Sequence, residues 1–165
     1  MYRLLGRRRR RHDAGETLVE LVLTVTIMSI AVVSVIGALA TGVRVSDIHR
    51  KHATAGAAVR AFAEALHASV AGAGGYLEDI CDGDPVSAYQ SQVASIYTPP
   101  TNYQASVTQV RFWHPNGLSG SFETGCPDVG VQLLTLQVTS VDGKVTETLD
   151  VVLRKPCRTE DPLCS

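Results

Sequence analysis

The sequence predicts an α+β fold, in which a long N-terminal helix is packed on a small antiparallel β-sheet. Three observations lead to this prediction. Residues 21–43 carry no formal charge, a helical periodicity continues beyond them to about residue 70, and the last third of the chain alternates apolar and polar residues. A chain of 165 residues is long enough for one modest domain with a helical extension.

The N-terminal segment, residues 1–15, is strongly basic. It contains six of the fifteen basic residues, against Asp13 as its one acid. The rest of the chain holds nine basic and fifteen acidic residues, a net charge of −6. A basic leader before a long apolar run is typical of an exported chain whose N-terminus stays in the cytoplasm. Arginine runs also occur in nucleic-acid-binding arms, but this one leads directly into an apolar segment, and we predict no clear nucleic-acid site.

Residues 16–43 are predicted to form a transmembrane and assembly helix. The 23 uncharged residues from 21 to 43 rise about 35 Å, at about 1.5 Å per residue, which is enough to cross the hydrocarbon core of a bilayer. Hydroxyl groups within this run can bond back to carbonyls of their own helix. Ser34, Ala38 and Gly42 recur every fourth residue and offer a smooth side for helix contact, a spacing that alanine-rich segments also produce by chance.

An amphipathic continuation of the helix is predicted for residues 44–75. Apolar residues recur there at three-, four- and seven-residue steps, and charged residues fill the other faces. Glycines at positions 72, 74 and 75 end the predicted helix. The stripe predicted to face a core consists of Val45, Ile48, Ala55, Val59, Phe62, Leu66 and Val70.

Residues 76–165 are predicted to form an exported head with a β-sheet. The segment 76–100 contains Asp-Gly-Asp-Pro and Pro-Pro sequences and is predicted to be a loop. A turn at 114–117 and a hairpin at Asp142-Gly143 separate three predicted strands, at about residues 103–113, 129–140 and 144–154. The period-two positions predicted to be buried are Leu134, Leu136, Val138, Leu149, Val151 and Leu153.

All four cysteines follow the apolar run, and an even number on the exported side suggests two disulfides. We favour the pairing Cys81–Cys126, which closes a long loop, and the pairing Cys157–Cys164, which closes a short C-terminal loop. The closely spaced cysteine pairs that are typical of zinc sites do not occur in the sequence.

No catalytic, cofactor-binding or metal site is predicted. His49 and His52 lie three residues apart on one predicted helix face, but no acidic or cysteine partner follows at helical spacing. Four acidic residues between positions 78 and 84 lack the regular spacing of a calcium-binding loop. Solvated side chains are the simpler interpretation of both groups.

The segment that carries functional information is Asp-Ala-Gly-Glu-Thr-Leu-Val-Glu-Leu at residues 13–21, between the arginines and the apolar run. It resembles the processing signal of type IV prepilins and of the pseudopilins of type II secretion systems. The resemblance implies cleavage by a prepilin peptidase between Gly15 and Glu16, N-methylation of Glu16, and a role for Glu20 in assembly. It also implies a type IV pilin-like fold.

A structural role, without catalysis, follows from the same resemblance. The chain would be a minor pilin or pseudopilin that first spans the cytoplasmic membrane with its N-terminus inside. It would then join other pilin or pseudopilin subunits in a filament at the cell surface or in the envelope. Glu16 stands where the family has phenylalanine or another apolar residue, and no proline precedes Pro85. Both departures favour a minor subunit over a major one.

The chemistry of Glu20 is independent of the resemblance. A carboxylate at the head of an apolar helix is costly to bury unless it meets a cation, and the leader arginines would be lost on cleavage. The α-amine of a neighbouring processed chain is then the suitable cation. Glu20 on a plain anchor would instead extend its carboxylate to the membrane surface.

Two other interpretations remain open. The segment Ala38-Leu39-Ala40 resembles a conventional signal-peptidase site, which would release a soluble secreted protein beginning at Thr41. The apolar run could also serve as the uncleaved signal anchor of an envelope protein.

Overall fold

The computed structural model describes residues 17–72 and 74–157. These residues divide into two units, one that ends at Arg44 and one that begins at Val45. One long N-terminal helix and an antiparallel sheet confirm the predicted α+β class. The elements are α1 (Leu18–Ala71), α2 (Pro85–Ile96), β1 (Tyr103–Asn116), β2 (Ser119–Glu123), β3 (Val131–Ser140) and β4 (Thr146–Arg154).

Helix α1 has 54 residues and clear signals at both ends. The backbone N–H of Glu20 donates to the carbonyl oxygen of Thr17 at 2.9 Å, which closes the first turn. At the other end, the N–H of Gly72 donates to the carbonyl of Ser69 at 3.0 Å. Gly74 then takes a positive φ of 78°, a conformation that favours glycine, and the chain leaves the helix.

Gly75 lies against the end of α1. A Cβ atom at this position would come within 1.8 Å of the Ser69 carbonyl oxygen, so the turn needs glycine here. The side chain of Gln92 on α2 then fastens the turn. Its Nε2 donates to the carbonyl of Gly75 at 2.7 Å and to the hydroxyl of Ser69 at 3.2 Å.

Helix α2 was not predicted, because Asp-Gly-Asp-Pro was interpreted as a turn within a loop. In the structure Asp84 is the N-cap of α2 and Pro85 occupies the first helical turn. The Asp84 carboxylate accepts hydrogen bonds from the backbone N–H of Ser87 at 3.1 Å and from its hydroxyl at 2.5 Å. Aspartate followed by proline is a favourable start for a helix as well as for a turn.

The sheet has four antiparallel strands in the order β2-β1-β3-β4, one more than predicted. The turn predicted at 114–117 lies later, at Gly117 and Leu118, because β1 continues to Asn116 and pairs there with Ser119. Gly120 on β2 is needed because a Cβ there would lie 2.3 Å from the Trp113 ring. The ring of Trp113 also meets that of Phe122 edge-on, with centroids 5.1 Å apart.

Part of β1 extends beyond β2 and is covered by α2. The side-chain amide of Gln90 accepts from the N–H of Val107 at 2.9 Å and donates to the carbonyl of Ala105 at 3.4 Å. A single side chain thereby satisfies two backbone groups of β1 that point away from β3.

The core of the head forms between the second half of α1, α2 and one face of the sheet. Five of the seven stripe residues predicted on α1 are buried, but Val45 and Ile48 are 46% and 40% exposed. These two lie before the buried part of the helix, where the periodicity continues without a partner to cover it. The buried residues predicted correctly are Ala55, Val59, Phe62, Leu66, Val70, Leu134, Leu136, Val138, Val151 and Leu153.

Two polar contacts join α1 to the β3–β4 hairpin. Lys51 Nζ lies 2.6 Å from Asp142 Oδ2 and 3.2 Å from Asp47 Oδ2. The Lys51 ammonium, with the Ser140 hydroxyl, holds the pKa of the Asp142 carboxyl below its ordinary value. Hydrogen bonds to Asp142 and Asp47 in turn raise the pKa of Lys51.

A second contact lies one residue further along α1. His52 Nδ1 is 2.6 Å from Glu147 Oε1, although the two residues are 95 positions apart in sequence. Tyr103 adds a hydrogen bond from its hydroxyl to the Lys51 carbonyl at 3.3 Å.

The disulfide Cys81–Cys126 is present and agrees with the favoured pairing. It joins the loop before α2 to the loop between β2 and β3. Cys157 is also disulfide-bonded. The predicted pairing of Cys157 with Cys164 cannot be compared further, since Cys164 lies outside the described residues.

Replacing Gly75 with alanine should destabilise the head by about 1–3 kcal/mol, because the added methyl group forces the backbone away from Ser69. Urea unfolding in detergent, followed by the fluorescence of Trp113, measures the change. Gly83→Ala is the matched control, because its Cβ would lie 3.8 Å from the Ile80 carbonyl oxygen, an ordinary contact. Equal midpoints for Gly75→Ala and Gly83→Ala would contradict this account of the turn.

The stability of the head should depend on the ionisation of Asp142. A carboxyl whose pKa is lower in the folded state contributes stability above its unfolded pKa of about 3.9 and loses it as the pH falls through the folded value. Asp142→Asn should therefore lower the unfolding midpoint at pH 7, and its difference from wild type should shrink below about pH 4. Thermal unfolding from pH 2 to pH 8, with the exposed Asp79→Asn as control, measures this dependence. A difference that is constant over the whole range would contradict it.

Candidate assembly site

The first half of α1 is apolar on all sides, and every residue from 18 to 43 is exposed within the chain. Leu21 is 53% exposed, Val33 is 69% exposed and Leu39 is 66% exposed, values that are typical of side chains without neighbours. Among the helices in the described residues, α1 is the one long and apolar enough to be a candidate membrane span, a criterion that signal sequences also meet. This surface needs an apolar environment outside its own chain.

The hydroxyl groups within this half of α1 are all satisfied by the helix itself. Thr24 donates to the Leu21 carbonyl at 2.9 Å, and Ser34 donates to the Ile30 carbonyl at 2.8 Å. Thr26, Ser29 and Thr41 make the same kind of bond to the carbonyl four residues earlier. The helix can therefore enter hydrocarbon without an unpaired hydroxyl, as the sequence predicted.

Glu20 lies at the third helical position of α1, and Thr17 is the residue before the helix. The backbone N–H of Glu20 approaches the Thr17 hydroxyl oxygen at 3.4 Å, in addition to the Thr17 carbonyl. Threonine followed three residues later by glutamate is the capping-box pattern. The negative carboxylate also lies at the positive end of the helix dipole.

Sequence reasoning missed this local role, although the spacing of Thr17 and Glu20 was visible. Glu20 can therefore act in two ways: it can stabilise the start of its own helix, and it can serve as a counter-ion for a cation brought by another chain. The two roles make different demands on the side chain. A cap needs an acceptor oxygen, whereas a counter-ion needs the charge.

The other residues predicted to act in processing or in helix contact are Gly15, Glu16, Ser34, Ala38 and Gly42. Gly15 and Glu16, the predicted cleavage and methylation positions, are outside the described residues. Ser34, Ala38 and Gly42 are exposed, and a Cβ added at Gly42 would meet nothing within 4 Å. That side of the helix is open to close approach by another helix.

The histidines and the acidic residues that were considered as metal ligands have different surroundings in the structure. His49 and His67 are exposed, and His114 Nε2 lies 3.2 Å from the Gly125 carbonyl oxygen. His52 has a partner on β4, which its helical spacing did not reveal. In the acidic loop, Asp84 caps α2 and Glu78 pairs with Lys155 at 3.1 Å.

A buried polar network lies beside the disulfide. The Asp128 carboxylate accepts from the Tyr76 hydroxyl at 2.9 Å and from Gln132 Nε2 at 2.6 Å. Gln132 is fully buried, and its Oε1 accepts from the Tyr89 hydroxyl at 2.5 Å. Burial raises the pKa of both tyrosines, and the hydrogen bond to Asp128 raises that of Tyr76 further.

This network keeps both phenols neutral and uses them as donors. It ties the segment after α1 to α2 and β3, so its role is to hold the head together. The sequence contained no signal for it, because the two tyrosines are 52 and 43 positions away from the residues they contact.

No protein family, curated protein or solved structure matches this chain.

Proposed function

We propose that this chain is a structural subunit, a minor pilin or pseudopilin, of a type IV pilus or type II secretion-like filament. The observation that carries the proposal is the exposed apolar half of α1, which begins within the segment 13–21 that resembles a prepilin processing signal and contains Glu20. A long helix followed by a four-stranded antiparallel sheet is compatible with a pilin-like layout.

The apolar half of α1 fits two successive environments. A bilayer would accept it first, since its length, its apolar side chains and its self-bonded hydroxyl groups suit hydrocarbon. Neighbouring helices of the same kind would replace the lipid in a filament, because they offer an equally apolar surface and the open side at Ser34, Ala38 and Gly42 permits close contact.

In the proposed filament, Glu20 sets the axial register between neighbouring subunits. Cleavage after Gly15 removes the leader arginines and creates an α-amine at Glu16. An unpaired carboxylate in an apolar bundle is strongly unfavourable, so it favours an arrangement in which a neighbour's amine lies beside it. The pair would fix the axial position of one subunit against the next.

The proposed partners follow from these contacts: a prepilin peptidase that cuts at Gly15, and other pilin or pseudopilin subunits. The proposed location is the cytoplasmic membrane, with the N-terminus inside, and then a filament at the cell surface or in the envelope. The role of the head is structural, and no catalysis is proposed for it.

The mature N-terminus tests the class directly. Intact mass and N-terminal sequencing of the protein from its native envelope should give a chain that begins at Glu16, with or without one added methyl group. A chain that begins at Thr41 would instead identify a soluble secreted protein, and one that begins at Met1 an uncleaved anchor. Gly15→Leu should block processing and leave the leader attached.

Variants at Glu20 separate the counter-ion from the cap. Glu20→Gln keeps an oxygen that can complete the capping box but removes the charge. It should reduce entry into filaments by at least about tenfold, as should Glu20→Ala, because an unpaired buried amine costs several kcal/mol. The measurement is the ratio of sheared filament fraction to membrane fraction by immunoblot, with the exposed Glu64→Gln on α1 as control.

The pattern of these variants decides between the two roles. Normal assembly of Glu20→Gln with loss in Glu20→Ala would assign Glu20 to capping alone. Normal assembly of both would remove Glu20 from the mechanism.

A further inference from the structure

The disulfide Cys81–Cys126 has an unusual neighbour. Asp82 Oδ1 lies 3.0 Å from Cys126 Sγ. A bridged sulfur carries no proton, so this contact is not a hydrogen bond. The Asp82 carboxylate oxygen and both sulfur atoms lie within 4.8 Å of one another, so the charge is close to each end of the disulfide.

The disulfide is accessible to reagents. Cys126 and Asp82 are exposed, and Cys81 is half-buried. The Asp82 carboxylate therefore lies on the solvent side of the disulfide. Burial does not protect this disulfide from small thiols.

We propose that Asp82 is an electrostatic guard of the Cys81–Cys126 disulfide, which selects against anionic thiols in thiol–disulfide exchange. The guarded reaction is the attack of an external thiolate on one sulfur. A new bond forms between the thiol reagent and that cysteine, the Cys81–Cys126 bond breaks, and the other cysteine leaves as a thiolate that then takes a proton from water.

The Asp82 carboxylate opposes the attack of a thiolate at either of the two sulfur atoms. Attack at Cys126 brings a negative sulfur towards the Asp82 carboxylate. Attack at Cys81 expels the Cys126 thiolate at 3.0 Å from the same carboxylate. Like charges repel in both cases, so reduction is slowed whichever sulfur is attacked.

The class of exchange partner follows from this charge. A thiol that carries its own cation, or an oxidoreductase whose reactive cysteine is surrounded by basic residues, offsets the repulsion. Small acidic thiols do not. This inference does not depend on the proposed filament function, since it concerns the head alone.

The experiment measures reduction rates of the full-length protein in detergent with three thiols. Cysteamine, 2-mercaptoethanol and mercaptoacetate have thiolate forms that are neutral overall, singly negative and doubly negative. Samples are quenched with iodoacetamide, and peptide mass spectrometry measures alkylation at Cys81 and Cys126, apart from that at Cys157. Each rate is divided by the thiolate concentration.

Asp82→Asn should accelerate reduction by mercaptoacetate by about threefold to tenfold, with a smaller effect for 2-mercaptoethanol and the smallest for cysteamine. Added salt should reduce these differences, because the carboxylate is exposed and screened. Asp82→Glu should keep the selectivity of the wild type. Far-UV circular dichroism before reduction verifies that each variant is folded.

The matched control is Asp79→Asn, in the same loop and with the same change of charge. Asp79 has a positive φ of 56°, a conformation that asparagine also adopts readily. Unchanged rates and selectivity in Asp82→Asn would overturn the proposal. An equal effect of Asp79→Asn would also overturn it, because general surface charge would then replace the contact at Cys126.

Discussion

The two halves of helix α1 must satisfy different surroundings, and the rest of the structure is organised by this constraint. The first half has no polar face that water could solvate, and none of its residues from 18 to 43 is buried by the described part of the chain. The second half buries one stripe, from Ala55 to Val70, and leaves charged residues on its other faces. The same helix is thus apolar on all sides in one half and amphipathic in the other.

The head is held to α1 by apolar packing and by polar contacts at several points. Lys51 and His52 reach the β3–β4 hairpin, Tyr97 donates to the Ala58 carbonyl at 2.9 Å, and Gln92 holds the turn after the helix. These contacts are spaced along the buried half of α1.

Local patterns predicted α1 and β3 well, because their buried residues repeat at a fixed spacing and end at glycines or turn residues. Helix α2 was missed because Asp84 and Pro85 are equally suited to a turn and to a helix start. Strand β2 was missed because Phe122 is the one large apolar residue among its five positions. The pairs His52–Glu147 and Asp82–Cys126 depend on which strands and loops become neighbours, and no local pattern contains that information.

The hydrogen bonds of Gln90 to β1 affect how this edge of the sheet can meet another molecule. In the filament that we propose, subunits would lie at a very high local concentration, where an unpaired strand edge can pair with the edge of the next molecule. The Gln90 amide makes the two hydrogen bonds that a neighbouring strand would make at Ala105 and Val107. Another chain therefore cannot pair with β1 at these two backbone groups. In the proposed filament, contacts between heads on this side would then be made by side chains, which separate reversibly, and not by backbone pairing, which leads to aggregation.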